Sequence, residues 1–280
     1  MAAGPGVFVR LARESPTLAF GGAILATIVA VGVLSPLIVP HDPLAMAPTR
    51  SLEPPSAIHL LGTDQLGRDY LSRLVYGARI SMLIGIATTV ASGLIGIALG
   101  VAGGFFGGRI DDAVLFAITA RLSIPLILVA LAVVSVVGSS LTVVVMTLGL
   151  LLWDRFAVVA RVSTMQVRNL DFVAAAWAAG CSRSRIVLRE ILPNILSPLA
   201  VVATLEVALA ILLEAALSFL GLGVPPPLPS WGLMIAEGKD YMFFSPWVIM
   251  IPGVALFVLV FGINLLGDGL RNLLRTGRVA

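Results

Sequence analysis

Six stretches of this chain, at 17–39, 80–104, 113–138, 140–160, 198–220 and 247–268, are long and nearly unbroken in apolar residues. A helix rises about 1.5 Å per residue, so roughly 20 apolar residues cross the hydrocarbon core of a bilayer. Backbone polar groups find no water there, and helices are the spanning structure that satisfies them within one segment. Hydrophobic residues make up 59% of the chain and charged residues 12%, which is far from the composition of a soluble domain of 280 residues. The expected fold class is therefore all-α, a polytopic membrane protein with six transmembrane helices. The first run follows Arg10 and Arg13 but lacks a small-x-small cleavage pattern and ends in Val39-Pro40-His41, so it is expected to remain as an uncleaved span.

Positive charge resists translocation, and an even number of spans puts both termini on one side. With the N-terminus inside, thirteen of the 18 basic residues are cytoplasmic, including Arg109, Arg121 and the six arginines from Arg155 to Arg189. Arg50, Arg68, Arg73, Arg79 and Lys239 stay outside. The expected orientation is N-in and C-in, and the basic balance reports topology without implying nucleic acid. Residues 1–78 are expected to form a first helix with its external loop, and 79–280 a core transmembrane domain.

Residues 172–193, FVAAAWAAGCSRSRIVLREILP, form a polar island between apolar runs. An alanine-rich helical stretch, a stop at Gly180, a basic turn and Pro193 ahead of the next span make a knob that another protein can grip. Elsewhere, 61–81 is expected to lie as an interfacial amphipathic helix with Leu66, Tyr70, Leu74 and Val75 near one face, the alternative being a plain polar loop. Gly96 and Gly100 form a small-xxx-small pair in the second span, open to packing within the subunit or against a second one. Pro125 is expected to kink the third span, and Trp153, Asp154 and Arg155 to anchor the fourth near the cytoplasmic face. Glu206 and Glu214 fall on one face of the fifth span, where an acid either lines a water-filled pathway or makes a structural hydrogen bond. Four prolines in VPPPLP forbid helix and predict a rigid turn outside.

Lys239 is the only lysine and lies in EGKDY, so no G-x-x-x-x-G-K-[ST] phosphate cradle is present. The single cysteine, Cys181, rules out an internal disulfide and a multi-cysteine metal site, and His41 and His59 do not form H-E-x-x-H. Catalysis, a metal centre and a cofactor are not expected. A channel, an ion-driven carrier, a scaffold, or the pore subunit of a machine powered by a separate protein remain, and the gripped knob favours the last.

Four segments carry a resemblance that spans about residues 17–272: LGTDQLGRDYLSRLVYGARIS at 61–81, FVAAAWAAGCSRSRIVLREILPN at 172–194, EAALSFLGLGVPPPLPSWG at 214–232 and NLLGDGLR at 264–271. Together they resemble the inner-membrane permease subunits of dipeptide/oligopeptide/nickel ABC importers, in particular the C-type subunit of the paired permeases. The resemblance implies the type I ABC importer permease fold and an importer of peptides or related small solutes in the bacterial inner membrane. An ion-coupled carrier, or an importer of nickel, metal chelates or opines, is the alternative. It implies as partners a homologous second permease, two ATP-hydrolysing subunits and an extracytoplasmic substrate-binding protein. The family's E-A-A-x-x-x-G motif is matched by Ala175, Ala176 and Gly180, with Leu192 and Pro193 downstream, while Ala174 stands where the motif has glutamate. Within a coupling loop at about 170–195, the residues expected to meet the ATPase are Phe172, Ala174, Ala175, Ala176, Gly180, Arg183, Leu192 and Pro193. Val158 replaces an arginine usual in relatives, while Arg161 keeps the next basic position.

Overall fold

The computed structural model describes residues 15–276, so the expected cytoplasmic charges Arg10, Arg13 and Arg278 lie outside the described residues, as does the side chain of Arg275. The long helices are α1 (Pro16–Val33), α2 (Tyr70–Phe106), α3 (Gly108–Leu122), α4 (Leu126–Val137), α5 (Leu141–Leu151) and α6 (Asp154–Arg168). They are followed by the short α7 (Asp171–Ala178), then α8 (Leu192–Phe219), the short α9 (Trp231–Gly238) and α10 (Trp247–Thr276). Among the described residues, five helical segments are long and apolar enough to cross a membrane, and six if the bent pair α3 and α4 is counted as one span. That pair turns by 81° at its break, where Pro125 both ends one run of hydrogen bonds and begins the next. The outward faces carry apolar side chains such as Leu94, Phe116 and Val136, as a lipid-facing surface requires.

Helix α2 is the backbone of the bundle. Its 37 residues give about 55 Å of helix, and it begins at Tyr70, so it runs unbroken through the boundary expected at residue 78. Asp69 caps it by accepting from the Ser72 backbone N–H at 2.8 Å. Burial opposes ionisation of Asp69, yet hydrogen bonds from Ser72 and His59 outweigh it and hold the carboxyl below its usual range. Gly96, Gly100 and Gly104, one turn apart, lie against the backbone of residues 153–161 around the start of α6. A Cβ on Gly100 would stand 2.7 Å from Cβ of Ala160, and one on Gly104 2.6 Å from the Arg161 carbonyl oxygen. The glycine stripe therefore serves packing inside the subunit, which decides between the two readings open in the sequence. In the same way Gly21 of α1 meets the backbone of Gly262 and Leu266 on α10.

Two expectations change. Residues 61–69 are an irregular turn rather than the start of an interfacial helix, and Arg68 and Arg73 are fully buried. The cause is pairing: both arginines reach Asp64 and Glu237, with Arg68 Nε 2.6 Å from Asp64 and Arg73 Nη2 2.8 Å from Glu237. The fourth span, Leu141–Arg168, extends past Trp153, Asp154 and Arg155, which lie at a break in its middle rather than at its end. The proline-rich turn leads into α9, a buried helix whose Trp231 donates from Nε1 to the Leu74 carbonyl at 2.8 Å and from its backbone N–H to Ser81 at 3.0 Å.

Candidate functional site

The segments expected on one side of the membrane come together at one end of α2, where the 61–69 turn meets α9 through Glu237 and Tyr70 bonds the Val248 carbonyl. The 170–195 island sits at the other end. Its helix α7 ends in a Schellman motif: Cys181 N–H reaches the Ala176 carbonyl at 3.1 Å and Gly180 N–H the Trp177 carbonyl at 3.0 Å. Gly180 has φ 75°, a left-handed conformation that costs a side chain energy, and the space around its missing Cβ is open. The turn at Gly180 is thus presented, not packed.

Phe172, Ala174, Ala175, Gly180, Arg183 and Pro193 are exposed, while Ala176 and Leu192 are half-buried. What anchors the knob is its inner face. Val173 is fully buried with Val101, Phe105, Phe156, Ile186, Ile191 and Ile195, and Ala176 and Leu192 pack on the same cluster. Trp177, absent from the sequence expectation, stacks on Phe105 at 6.2 Å between centroids. Arg168 closes the end of α2 by donating to the Gly104 and Phe105 carbonyls at 3.1 and 2.9 Å. Residues 187–191 form a π-helical turn that joins the island to α8, a distortion common at functional positions. Arg183 and Leu192 also line an apolar groove of about 1020 Å³ between α2 and the island.

A second group of polar residues lies deep in the spans, where helices break. Arg121, at the end of α3, is 3.4 Å from Asp154 and donates from Nε to the Leu151 carbonyl at 2.5 Å. Arg155, at the start of α6, is 3.4 Å from Glu206 of α8. Glu206 is fully buried and neither carboxylate oxygen receives a hydrogen bond, while the Arg155 side chain is 57% exposed. Arg121, Asp154 and Arg155 line a cavity of about 280 Å³ with Leu126, Leu209 and Leu213. Glu214 is placed differently: it accepts from Ser218 and Ser230, each at 2.8 Å, and so ties α8 to the N-cap of α9. Of its two readings, the geometry supplies the structural hydrogen bond. Arg161 forms a two-pronged pair with Asp111, Nη2 standing 2.7 Å from Oδ2.

The family described as Binding-protein-dependent transport system inner membrane component matches residues 92–278. A putative peptide transport system permease protein of Brucella suis is 40% identical over 254 residues, covering 91% of this chain and 86% of that protein. The di/tripeptide transport system permease protein DppC of Pseudomonas aeruginosa is 40% identical over 263 residues, covering 91% and 87%. A probable D,D-dipeptide transport system permease protein of Escherichia coli is 36% identical and covers 95% and 89%. Among solved structures, an inward-facing MetNI methionine ABC transporter aligns over 70% of this chain and 93% of its own with TM-score 0.57 at 20% identity. An amino acid ABC transporter aligns over 71% and 92% with TM-score 0.51 at 16% identity. These two establish the fold, that of a type I ABC importer permease.

Proposed function

Because this chain belongs to the family of binding-protein-dependent transport system inner membrane components, we propose that it forms half of the translocation pathway of an ATP-driven importer for peptides or related small solutes. It is a multi-pass protein of the bacterial inner membrane, with N-in and C-in orientation, paired with a homologous permease. Two separate subunits hydrolyse ATP, and an extracytoplasmic binding protein delivers the solute to the end that carries the 61–69 turn and α9.

The observation that carries this reading is the exposed outer face of α7 set on a rigidly buried inner face. A partner that clamps Phe172, Ala174, Ala175 and Gly180 moves Val173 and Trp177, and these bear on Phe105 of α2 and on Ile186, Ile191 and Ile195 leading into α8. Helix α6 carries Arg168 beside the island and Arg155 at its other end, and α8 runs from the island to Glu206. Both helices thus connect the knob to the Arg155 and Glu206 pair, so that closure of two ATP-bound subunits is converted into a rocking of spans around the cavity that Arg121, Asp154 and Arg155 line. Ala174 in place of glutamate removes a charged contact and leaves apolar packing and shape to hold the joint.

Reconstituting the permease pair with its ATPases and binding protein in proteoliposomes tests the reading. Uptake of labelled di- and tripeptides is expected only with hydrolysable ATP. Uptake that continues with hydrolysis-deficient ATPases and follows an ion gradient instead identifies a secondary carrier, and uptake of a nickel chelate in place of peptides reassigns the cargo.

A further inference from the structure

The chain has two histidines, and the fold brings both to one carboxylate. Their spacing in the sequence matches no metal motif, and their meeting depends on how the proline-rich loop wraps the head of α2. His59 and Asp69 are buried, while the His41 side chain is 40% exposed. The Nδ1 atoms of His59 and His41 stand 2.8 and 3.6 Å from the same oxygen, Asp69 Oδ1, and all three atoms lie within 4.8 Å of one another. The longer distance is beyond a hydrogen bond. Ligand bonds of 2.0–2.2 Å in a tetrahedral site put ligand atoms roughly 3.4 Å apart, which is the scale of these separations.

We propose that His41, His59 and Asp69 form a binding site for a zinc-class divalent transition ion that clamps the external loop to the first core helix. Three protein ligands leave a fourth position for water or for a donor from another molecule. The surrounding contacts suit a ligand set. The other oxygen of Asp69 accepts from the Ser72 backbone N–H and hydroxyl, at 2.8 and 2.6 Å, and the His41 backbone N–H donates to that hydroxyl at 3.2 Å. One serine therefore positions both the carboxylate and the loop that carries His41. Arg50 Nη1 is 3.2 Å from His59 Nε2. With the metal on Nδ1, Nε2 carries a proton and becomes a donor, so Arg50, an exposed side chain, swings aside. Imidazole ligands select zinc, nickel or copper over magnesium and calcium.

The test uses the full-length chain in detergent, purified with a histidine-free tag, and Zn²⁺ titrated against a chromophoric chelator. One Zn²⁺ per chain is expected, retained in Cys181→Ser and unaffected by excess Mg²⁺. Co²⁺ is expected to give the intense visible bands of a tetrahedral site. His41→Ala, at the exposed ligand, should melt like the wild type without metal, bind Zn²⁺ at least about tenfold more weakly and lose the metal-induced rise in melting temperature. No binding, or binding that His41→Ala leaves unchanged, overturns the site and leaves a hydrogen-bonded cluster only.

Discussion

Asp64 shows how much one side chain carries at the external end. It is fully buried, pairs with Arg68 and Arg73, and its Oδ1 accepts backbone N–H groups of Leu66 and Arg68 at 2.8 and 2.9 Å. Asp64→Asn keeps the shape but leaves two buried guanidinium groups sharing Glu237 alone. The expected loss is about 3–5 kcal/mol, read as a lower melting temperature of the purified chain. Gly180 works through its backbone: Gly180→Ala is expected to weaken the turn by about 1 kcal/mol, while Gly180→Asp adds a charge where the ATPase is proposed to seat. In both variants the chain should reach the membrane and stimulated ATPase activity should fall, more for aspartate. Glu206→Gln retains the buried shape and removes the ionisable carboxyl facing Arg155. Normal membrane levels with uptake reduced roughly tenfold, about 1.4 kcal/mol in the transport barrier, are expected, and full uptake would remove Glu206 from the pathway.

Between elements, the closest joint is α2 against α6. Gly100→Val puts a branched side chain where an added Cβ alone would stand 2.7 Å from Cβ of Ala160, so the helices must part. The expected outcome is a protein that inserts but is degraded or fails to assemble, seen as a reduced steady-state level beside an unchanged Gly253→Val control, where the space is open. The spans, the Pro125 bend and the island were legible because each is written in local sequence: a long apolar run, a proline, a glycine after alanines. The ion pairs of Arg68 and Arg73 with Glu237 were not, since Arg68 and Glu237 are 169 residues apart and nothing local tells a buried arginine from one at the headgroups. Trp177 read as part of an alanine-rich helix, and only the fold brings Phe105 beneath it. The Gly96 and Gly100 pair signalled close packing, but its partner, α6, has no complementary motif beyond Ala157 and Ala160.

At the scale of the whole molecule, the proposed function makes the chain a lever, with the 170–195 island as its handle at one end and the 61–69 turn and α9 as its delivery face at the other, joined by α2. On that proposal the handle's task is mechanical, and its residues are helix formers with a glycine stop. Cross-linking tests this claim most directly. With Cys181 replaced by serine and a single cysteine introduced at Ala174, the assembled transporter is treated with a short thiol cross-linker. An adduct with the ATP-hydrolysing subunit is expected, one that Gly180→Asp diminishes and that a cysteine at the exposed apolar Phe116 does not form. No adduct with that subunit, or modification of the Ala174 position by a membrane-impermeant thiol reagent added outside intact cells, would contradict it.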